Sequence, residues 1–582
     1  MSFVLSLCEI PSGEKFGEVY VKGEICHKYG KNLFIFKGEV CDMTNEEFLN
    51  KIRQKGVQIV EETKGEFFII FYDIDLRKIY IANDRIGRET LFYFYDKNNL
   101  IISDDFWEIV NLIEPNTADI DVQTLKEFVV FSKFFSGKTI IKNLNFFPPA
   151  SICEFSLMNR TFELKQYWDF RFQTDYTLSI DEAIERMDRA LDNAIKQIKE
   201  KNNSNATYGI GLTGGLDTRL IAHYALKHKM RLKSFIIGEK SPHKIVLSRD
   251  HKSARKLAKY FNLEHYEVEY DSENFENKSF YDIRHAPMRV STFFRIVRND
   301  IPKFDVLLTG ALGILVGDII PKNIIQLSKE ELLDTIILYS AASLNVPRRF
   351  IMLRKALKLI FGSRISTSPA MRRGCIKGII DEREFAEGVN KIRKFIEENS
   401  DKSNIEIFLK YFIFHLGAEK YGAFESLCGW KKSYTVYYPF ILDEILTWKP
   451  DYLINRKLLK CLIIKKFPEL AKIKAQTAGA ALFYRNKRFF TLRQMLAGIE
   501  YVIRGSGVER SAIWARKKRY MEYSLRILSR PNSIFESIFD VREIIQSVKS
   551  GNINTNLYEN LIKIKQILDI IETKGYKKFT MN

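Results

Sequence analysis

Across residues 19–103, polar positions break up short apolar and aromatic runs: VYVKGEIC, NLFIFKGEV, EFFIIFYDID, KIYIANDR, TLFYFYD and LIISDD. A period near two, rich in Tyr, Phe and Ile and punctuated by turn residues, predicts β-strands. One segment, Asn45–Lys55, interrupts them with helical spacing, so this part reads as strand-rich with few helices. Strands continue over 137–170, with Pro148 and Pro149 as a turn. At Ser179 the period changes. DEAIERMDRALDNAIKQIKEK places apolar residues every three or four positions, as in an amphipathic helix, and the polar linker KNNSNAT follows. A domain boundary is expected near Gln173–Ser179.

Beyond it, strand and helix patterns alternate. IGL, LKSFIIGEK, EHYEVEYD and FDVLLTG read as strands, and residues 250–261 (DHKSARKLAKYF) as a helix. That order predicts a doubly wound parallel sheet, whose ligands bind outside the carboxyl ends of the strands. Three loops should therefore be neighbours: 213–218, the turn after Ile237 and the turn after Thr309. From about Lys322 onward the pattern is mostly helical.

The first of these loops carries the most chemistry. In TYGIGLTGGLDTRLIAHYAL (207–226) a strand over 208–212 leads into Thr213, Gly214, Gly215, Leu216, Asp217 and Thr218, and helical spacing begins at Arg219. Strand, glycine turn and helix N-terminus together build an oxyanion cradle. Glycines let backbone N–H groups approach an anion, the Thr213 and Thr218 hydroxyls add donors, and the helix dipole favours negative charge. A carboxylate at Asp217 would repel bare phosphate, so it is read as holding a bridging cation. An ordinary βα turn with paired glycines is the plain alternative.

Composition narrows the classes. A chain of 582 residues should form two to four domains, and 46% hydrophobic residues suffice for sizeable cores. No secretory leader is expected from MSFVLSLCEIPSGE, and no apolar run is long enough to span a bilayer. The seven cysteines are scattered without a CxxC pair, which argues against a disulfide scaffold or zinc site and fits a cytoplasmic location. Eight histidines show no HxxxH or HxH spacing. The net charge of +19 leaves nucleic acid, a membrane surface, an anionic substrate or a lysine-rich background open. Residues 348–377 hold nine Lys/Arg and no acid. Within them RRFIMLRKALKLIFGSR reads as a basic amphipathic helix, either a solvated face or a peripheral contact with anionic lipid. The clusters RNKR (485–488) and ARKKRY (515–520) are open to the same two kinds of reading, exposed helix face or phosphate-rich partner.

These pieces, in this order, resemble an asparagine synthetase-type protein along nearly the whole chain. GEFFIIFYDIDLRKIYIANDRIGRETLFYFY and FFPPASICEFSLMNRTFELKQYWDF are similar to that family's N-terminal-nucleophile glutaminase domain. GIGLTGGLDTRL resembles its SGGxDS pyrophosphate loop, with Thr213 and Thr218 in place of the serines. DHKSARKLAKYFNLEHYEVE and YTVYYPFILDEIL resemble the following helix and strand and the PFLD segment. FDVREIIQSVKSGNINTNLYENLIKI is similar to the C-terminal helices.

The resemblance implies a chemistry: ATP adenylates a carboxylate, pyrophosphate leaves, and ammonia or an amine attacks to form an amide. It implies that Leu212 and Ile237 contact the nucleotide, that Thr213, Gly214, Gly215, Leu216, Asp217 and Thr218 cradle pyrophosphate with Mg²⁺ on Asp217, and that Thr309 and Gly310 flank the nucleotide. A lysine of the loop after the PFLD segment should approach the phosphates, with Lys472 and Lys474 as candidates. Three departures stand out. Ser2 replaces the family's cysteine, FKGEVCD lacks the glutamine-contacting asparagine, and Cys8 is expected in the core, so the glutaminase is read as inactive. In TGALGILVGD, Ala311 and Ile314 stand where the family has its presumed base and a second metal-binding aspartate, and Asp318 lies four residues on. The third is the unresolved choice of lysine.

The expected architecture is an α+β sandwich resembling N-terminal-nucleophile hydrolases over 1–172, then an α/β doubly wound parallel-sheet domain of the pyrophosphate-loop, adenine-nucleotide α-hydrolase-like kind over 175–490. A helical extension over 491–582 should pack on the second domain. The expected function is an ATP-dependent, AMP-forming carbon–nitrogen ligase acting without glutamine hydrolysis. Its partners would be a small-molecule or glycan carboxylate and ammonia or an amine, with a homodimer also considered and nucleic acid not expected. A catalytically inactive nucleotide-binding or scaffold protein is the alternative.

Overall fold

The computed structural model describes residues 3–23, 26–29, 31–131, 134–135, 137–239, 249–270, 302–318, 320–340, 379–417, 432–474, 522–550 and 555–575. Ser2, the basic helix over 348–364 and both C-terminal basic clusters lie outside the described residues.

Twelve strands build the first domain: β1 (Phe3–Ser6), β2 (Glu14–Phe16), β3 (Val19–Gly23), β4 (Cys26–Tyr29), β5 (Asn32–Val40), β6 (Gly65–Asp73), β7 (Lys78–Asn83), β8 (Phe92–Tyr95), β9 (Leu100–Ser103), β10 (Leu144–Phe146), β11 (Ser151–Ser156) and β12 (Phe162–Gln166). They form two antiparallel sheets, ordered β10-β8-β9-β1-β3-β2 and β12-β11-β7-β6-β5-β4. Phe3, Leu5, Ile70, Ile81, Leu100 and Ile102 fill the layer between the sheets. On the outside of one, α1 (Asn45–Lys55) seats Phe48 against Phe36 and Phe67. Thr44 and Glu47 satisfy the first N–H groups of α1 in a reciprocal capping box. On the other, α2 (Phe106–Ile113) brings Phe106 edge-on to Phe92, and α3 (Val122–Phe131) follows. The layers run helix, sheet, sheet, helix, so the middle strands are buried on both faces. That is why β1 reads FVLS with no polar face. Among the described residues α2 and α3 join α1 in this strand-rich domain, and both bury polar side chains, Glu108 in α2 and Thr124 and Glu127 in α3, so neither shows a clean stripe in sequence.

The second domain opens with α4 (Ile180–Glu200), capped by Ser179 and Glu182, which explains the change of period there. Its sheet comprises β13 (Thr207–Gly211), β14 (Arg231–Glu239), β15 (His265–Tyr270), β16 (Val306–Thr309) and β17 (Lys432–Thr435), with α5 (Leu216–Lys227) and α6 (Arg249–Phe261) as crossovers. All pairings are parallel and the order is β15-β14-β13-β16-β17. The order reverses between β13 and β16, which makes the crevice beyond their carboxyl ends the switch point for ligands. Gly209 permits this packing, since a Cβ there would lie 2.2 Å from the Phe304 ring. Between β16 and β17 come α7 (Lys329–Ser340), α8 (Glu382–Glu398) and α9 (Asn404–Gly417). After β17 come α10 (Leu442–Leu446), α11 (Lys457–Lys466) and α12 (Pro468–Lys472), and then α13 (Ser533–Ile538), α14 (Val541–Lys549) and α15 (Thr555–Glu572).

The two domains are joined by polar contacts, buried at Tyr438 and Asp84 and partly exposed at Lys64 and Asp443. The connecting segment is pinned by Gln173 and Asp175 N–H groups donating to the Leu446 and Thr447 carbonyls, both at 2.8 Å. Tyr438 donates to Asp84 at 2.6 Å, Lys64 pairs with Asp443 at 2.7 Å, and Arg85 pairs with the same carboxylate. The last helix reaches the first domain. Asn560 of α15 donates to the Val129 carbonyl at 2.8 Å, satisfying the end of α3 in the first domain. Among the described residues no helix is long and apolar enough to cross a membrane.

Candidate functional site

The turn between β13 and α5 has the geometry of an anion cradle. Gly215 is the N-cap of α5 and offers no side-chain cap, so the first-turn N–H groups keep their donor capacity for a ligand. Thr213 Oγ1 accepts from the Gly215 N–H at 3.0 Å, and Thr218 Oγ1 lies 3.5 Å from the Thr213 nitrogen. The two hydroxyls thus shape the loop itself. Leu212 and Leu216 are fully buried core residues, and the Leu212 N–H donates to the Phe235 carbonyl. Any contact they make with a ligand is through backbone.

Arg219 underpins the loop. It is fully buried and donates to the carbonyls of Gly214 and Gly215 at 3.0 Å, Leu470 at 2.9 Å and Ile473 at 3.2 Å. Burial draws its pKa down to about 10, and the nearby Asp217 opposes that. The four carbonyls distribute its charge. Arg219 also ties the cradle to the segment carrying the candidate lysines. Lys472 is exposed and paired with Glu469 at 2.5 Å, while Lys474 is exposed with its carbonyl accepting from Ser253 at 3.2 Å.

Asp217 points into the crevice between β13 and β16 and is already occupied. Arg456 Nη2 contacts both its carboxylate oxygens, and Tyr437 donates to Oδ1 at 2.9 Å. Burial and the Asp217 carboxylate push the Tyr437 phenol well above its usual value, so it remains a donor. Gly310 abuts Asp217, and a Cβ there would lie 2.8 Å from the Asp217 Cβ. Thr309 Oγ1 accepts from the Ala311 N–H at 3.1 Å. Leu312 then turns left-handed (φ 58°), and Gly317 (φ 94°) passes so close to the Leu453 carbonyl that a Cβ would sit 1.9 Å from its oxygen. This docks the third loop onto the turn that holds Arg456. Asn455 and Arg456 are both left-handed, at φ 56° and 55°, a conformation that costs non-glycine residues energy and aims the arginine inward. Asp318 is half exposed and lies 4.0 Å from Arg456 Nη1, and a Cβ at Gly313 would lie 3.6 Å from both Asp217 Oδ2 and Asp318 Cβ.

The structure therefore gathers Thr213, Gly214, Gly215, Asp217, Thr218, Thr309 and Gly310 around one crevice. Ile237 lies inside β14, opposite Val268, and the strand runs on to Glu239, so the turn begins later than the sequence suggests. Its side chain lies outside the described residues. Arg219, Tyr437 and Arg456 were not singled out from sequence. Arg219 alone had a signal, four residues after the Gly215 carbonyl it holds.

At the domain boundary a cavity of about 260 Å³ is lined by Lys37, Glu39, Glu66, Glu89, Lys201 and Tyr434. Lys37, beside Gly38 in FKGEVCD, is paired with Asp104 at 2.9 Å and Glu89 at 3.4 Å. Cys8 is exposed, with Sγ 2.8 Å from Asn99 Oδ1, which corrects its expected place in the core. It sits just past the end of β1, where the chain leaves the sheet. Asp84 is fully buried and burial raises its pKa to about 6, against the pull of Tyr438 and the N–H groups of Ile86, Arg88 and Phe67.

Residues 16–168 match the family of glutamine amidotransferase domains, and residues 187–311 match asparagine synthase. Asparagine synthetase [glutamine-hydrolyzing] 2 of Bacillus subtilis is 23% identical over 269 residues, covering 45% of this chain and 34% of that protein. A putative asparagine synthetase [glutamine-hydrolyzing] 2 of Methanocaldococcus jannaschii is 25% identical over 272 residues, covering 45% and 48%. The match thus spans less than half the length of these relatives. Among solved structures, NMN synthetase from Francisella tularensis is similar at 18% identity over 41% of this chain and 93% of that one, with a TM-score of 0.17. The chain thus carries a glutamine amidotransferase domain followed by a parallel-sheet asparagine synthase domain, the pairing that makes it similar, at low identity, to asparagine synthetase-type proteins.

Proposed function

We propose that this chain is an ATP-dependent ligase that activates a carboxylate as its acyl-adenylate and passes the acyl group to ammonia or an amine, without hydrolysing glutamine. The observation that carries it is the uncapped N-terminus of α5 beneath the Thr213–Thr218 turn, at the switch point of the sheet. ATP would lay its phosphates on that turn, with Thr309 and Gly310 beside the nucleotide and Lys474 or Lys472 closing over the developing charge. Lys472 is engaged by Glu469, whereas Lys474 follows directly on the Ile473 carbonyl that Arg219 anchors.

Mg²⁺, usual in the family, does not fit the site as built. Asp217 is taken by Arg456 and Tyr437, Ala311 and Ile314 bring no ligand, and Asp318 faces Arg456 Nη1 at 4.0 Å. Among the described residues no cluster of three His, Cys, Asp or Glu side chains could hold a metal ion. In the first domain, the ion pairs of Lys37 with Asp104 and Glu89 support a pocket given over to something other than glutamine. The carboxylate would come from a small molecule or glycan.

The same occupied carboxylate favours a second reading, a non-catalytic member that binds nucleotide and serves as a partner protein. A carboxylate panel incubated with ATP and ammonia or amines separates the two. AMP and pyrophosphate formed with ammonia, and no glutamate formed from glutamine, support the ligase. ATP binding without turnover on any acceptor supports the second reading, and glutamate release from glutamine refutes the proposed donor.

A further inference from the structure

We propose that Arg456 is the resident cation of the cradle, a side chain standing where a divalent ion would, so that the site takes a nucleotide's phosphates without Mg²⁺. This rests on the reading of the cradle as a nucleotide site. Arg456 is 8% exposed, and its Nε is buried with no partner. Nη2 contacts both Asp217 oxygens, and Tyr437 donates to one of them, Oδ1. The N–H groups left are those of the unpartnered Nε and of Nη1, 4.0 Å from Asp318, and a guanidinium held in place recognises phosphate through such a fork.

Around Arg456 stand the carboxylates Asp217 and Asp318 and the cations Lys322 and Lys460. Lys460, bonded to Asn455 Oδ1 at 2.9 Å, has its pKa drawn down to about 8 by burial and by the charges of Lys322 and Arg456. The backbone is committed to this arrangement. Asn455 and Arg456 hold left-handed conformations, and Gly317 lets the third loop close over them with only 3.2 Å between its would-be Cβ and the Arg456 nitrogen. Arg456 thus stands against Asp217, the carboxylate of the cradle itself, where a hydrated ion would have to enter.

The test is calorimetric titration of the full chain with ATP and with pyrophosphate, in EDTA and in excess Mg²⁺. Binding at least as tight in EDTA as in Mg²⁺ is expected. Arg456→Gln should weaken binding in EDTA by about tenfold or more, the scale of one charge-assisted hydrogen bond, and Arg456→Lys should recover part of it. The wild-type comparison needs no variant, so a folding defect in either substitution leaves the test standing. Tightening by Mg²⁺ of more than about tenfold, or Arg456→Gln binding as well as wild type, overturns the inference while leaving the nucleotide reading intact. Absence of binding in both buffers overturns both.

Discussion

Breaking the Asp217–Arg456 pair should cost more than removing it. The two side chains are 14% and 10% exposed, so neither charge has ready access to water. Arg456→Met leaves the Asp217 carboxylate buried with one neutral donor, Tyr437, at 2.9 Å. Losing one partner of a buried pair costs about 3–5 kcal/mol, and the surviving phenol hydrogen bond places this variant near the lower figure, about 3 kcal/mol. Asp217→Asn strands the guanidinium and should cost about as much. The double variant leaves no unpaired charge and should lose only about 1–2 kcal/mol, since an apolar or neutral pair of similar volume is close to equivalent. The coupling between the sites would then exceed about 2 kcal/mol. Hydrogen exchange read by mass spectrometry on peptides covering 212–227 and 306–318 reports the local opening free energy for wild type, both singles and the double. Additivity within about 0.5 kcal/mol would show that the two side chains do not rely on each other, and the account of the crevice would fail.

Further outcomes follow from single positions. Gly317→Ala places a methyl 1.9 Å from the Leu453 oxygen at a φ of 94°, so the third loop must lift; a loss of at least about 2 kcal/mol in thermal unfolding and faster exchange over 309–318 are expected. Tyr438→Phe removes the 2.6 Å donor to Asp84 and should loosen the domain contact by about 1–2 kcal/mol, seen as faster exchange over 84–88, with no change if the contact is incidental. Asp105 caps α2 through the Trp107 N–H, and burial raises its pKa to about 7. The folded chain therefore holds a proton that the unfolded chain releases, and this group's contribution to stability falls as pH rises from about 4 to about 7. Asp105→Asn keeps the cap and removes that slope. Its advantage above pH 7 should be no more than about 4 kcal/mol, and nearer about 2 because the side chain is partly exposed; urea midpoints at pH 4 and pH 8 that shift equally would contradict it.

Much of the frame is legible in the sequence for physical reasons. Strands β5, β6 and β7 show as aromatic and branched runs bounded by turns, and α1 and α4 announce themselves with capping boxes at Thr44 and Ser179. The cradle is legible because a strand, paired glycines flanked by the Thr213 and Thr218 hydroxyls and a helix start follow one another in the sequence. What escaped notice was set by tertiary contacts. The helices α2 and α3 lack a clean apolar stripe because Glu108, Thr124 and Glu127 are themselves buried. The strand β17 is only KSYT, and it is a strand because Thr309 and its neighbours in β16 offer it a ladder. Arg456 looks like any basic residue in a lysine-rich stretch. Its role comes from a left-handed turn at Asn455 and from Gly317, 138 positions earlier, neither of which marks the sequence around it. Cys8 shows the converse, a residue type usually buried that here ends a strand at the surface.

The central claim is that nucleotide lies on the Thr213–Thr218 turn between β13 and β16. Photolabelling the full chain with an azido-ATP, followed by peptide mapping, tests it most directly. Label should fall on peptides holding residues 212–218 and 309–316, and both unlabelled ATP and pyrophosphate should abolish it. Label that resists competition, or that falls instead on the cavity between Lys37 and Tyr434, would contradict the claim.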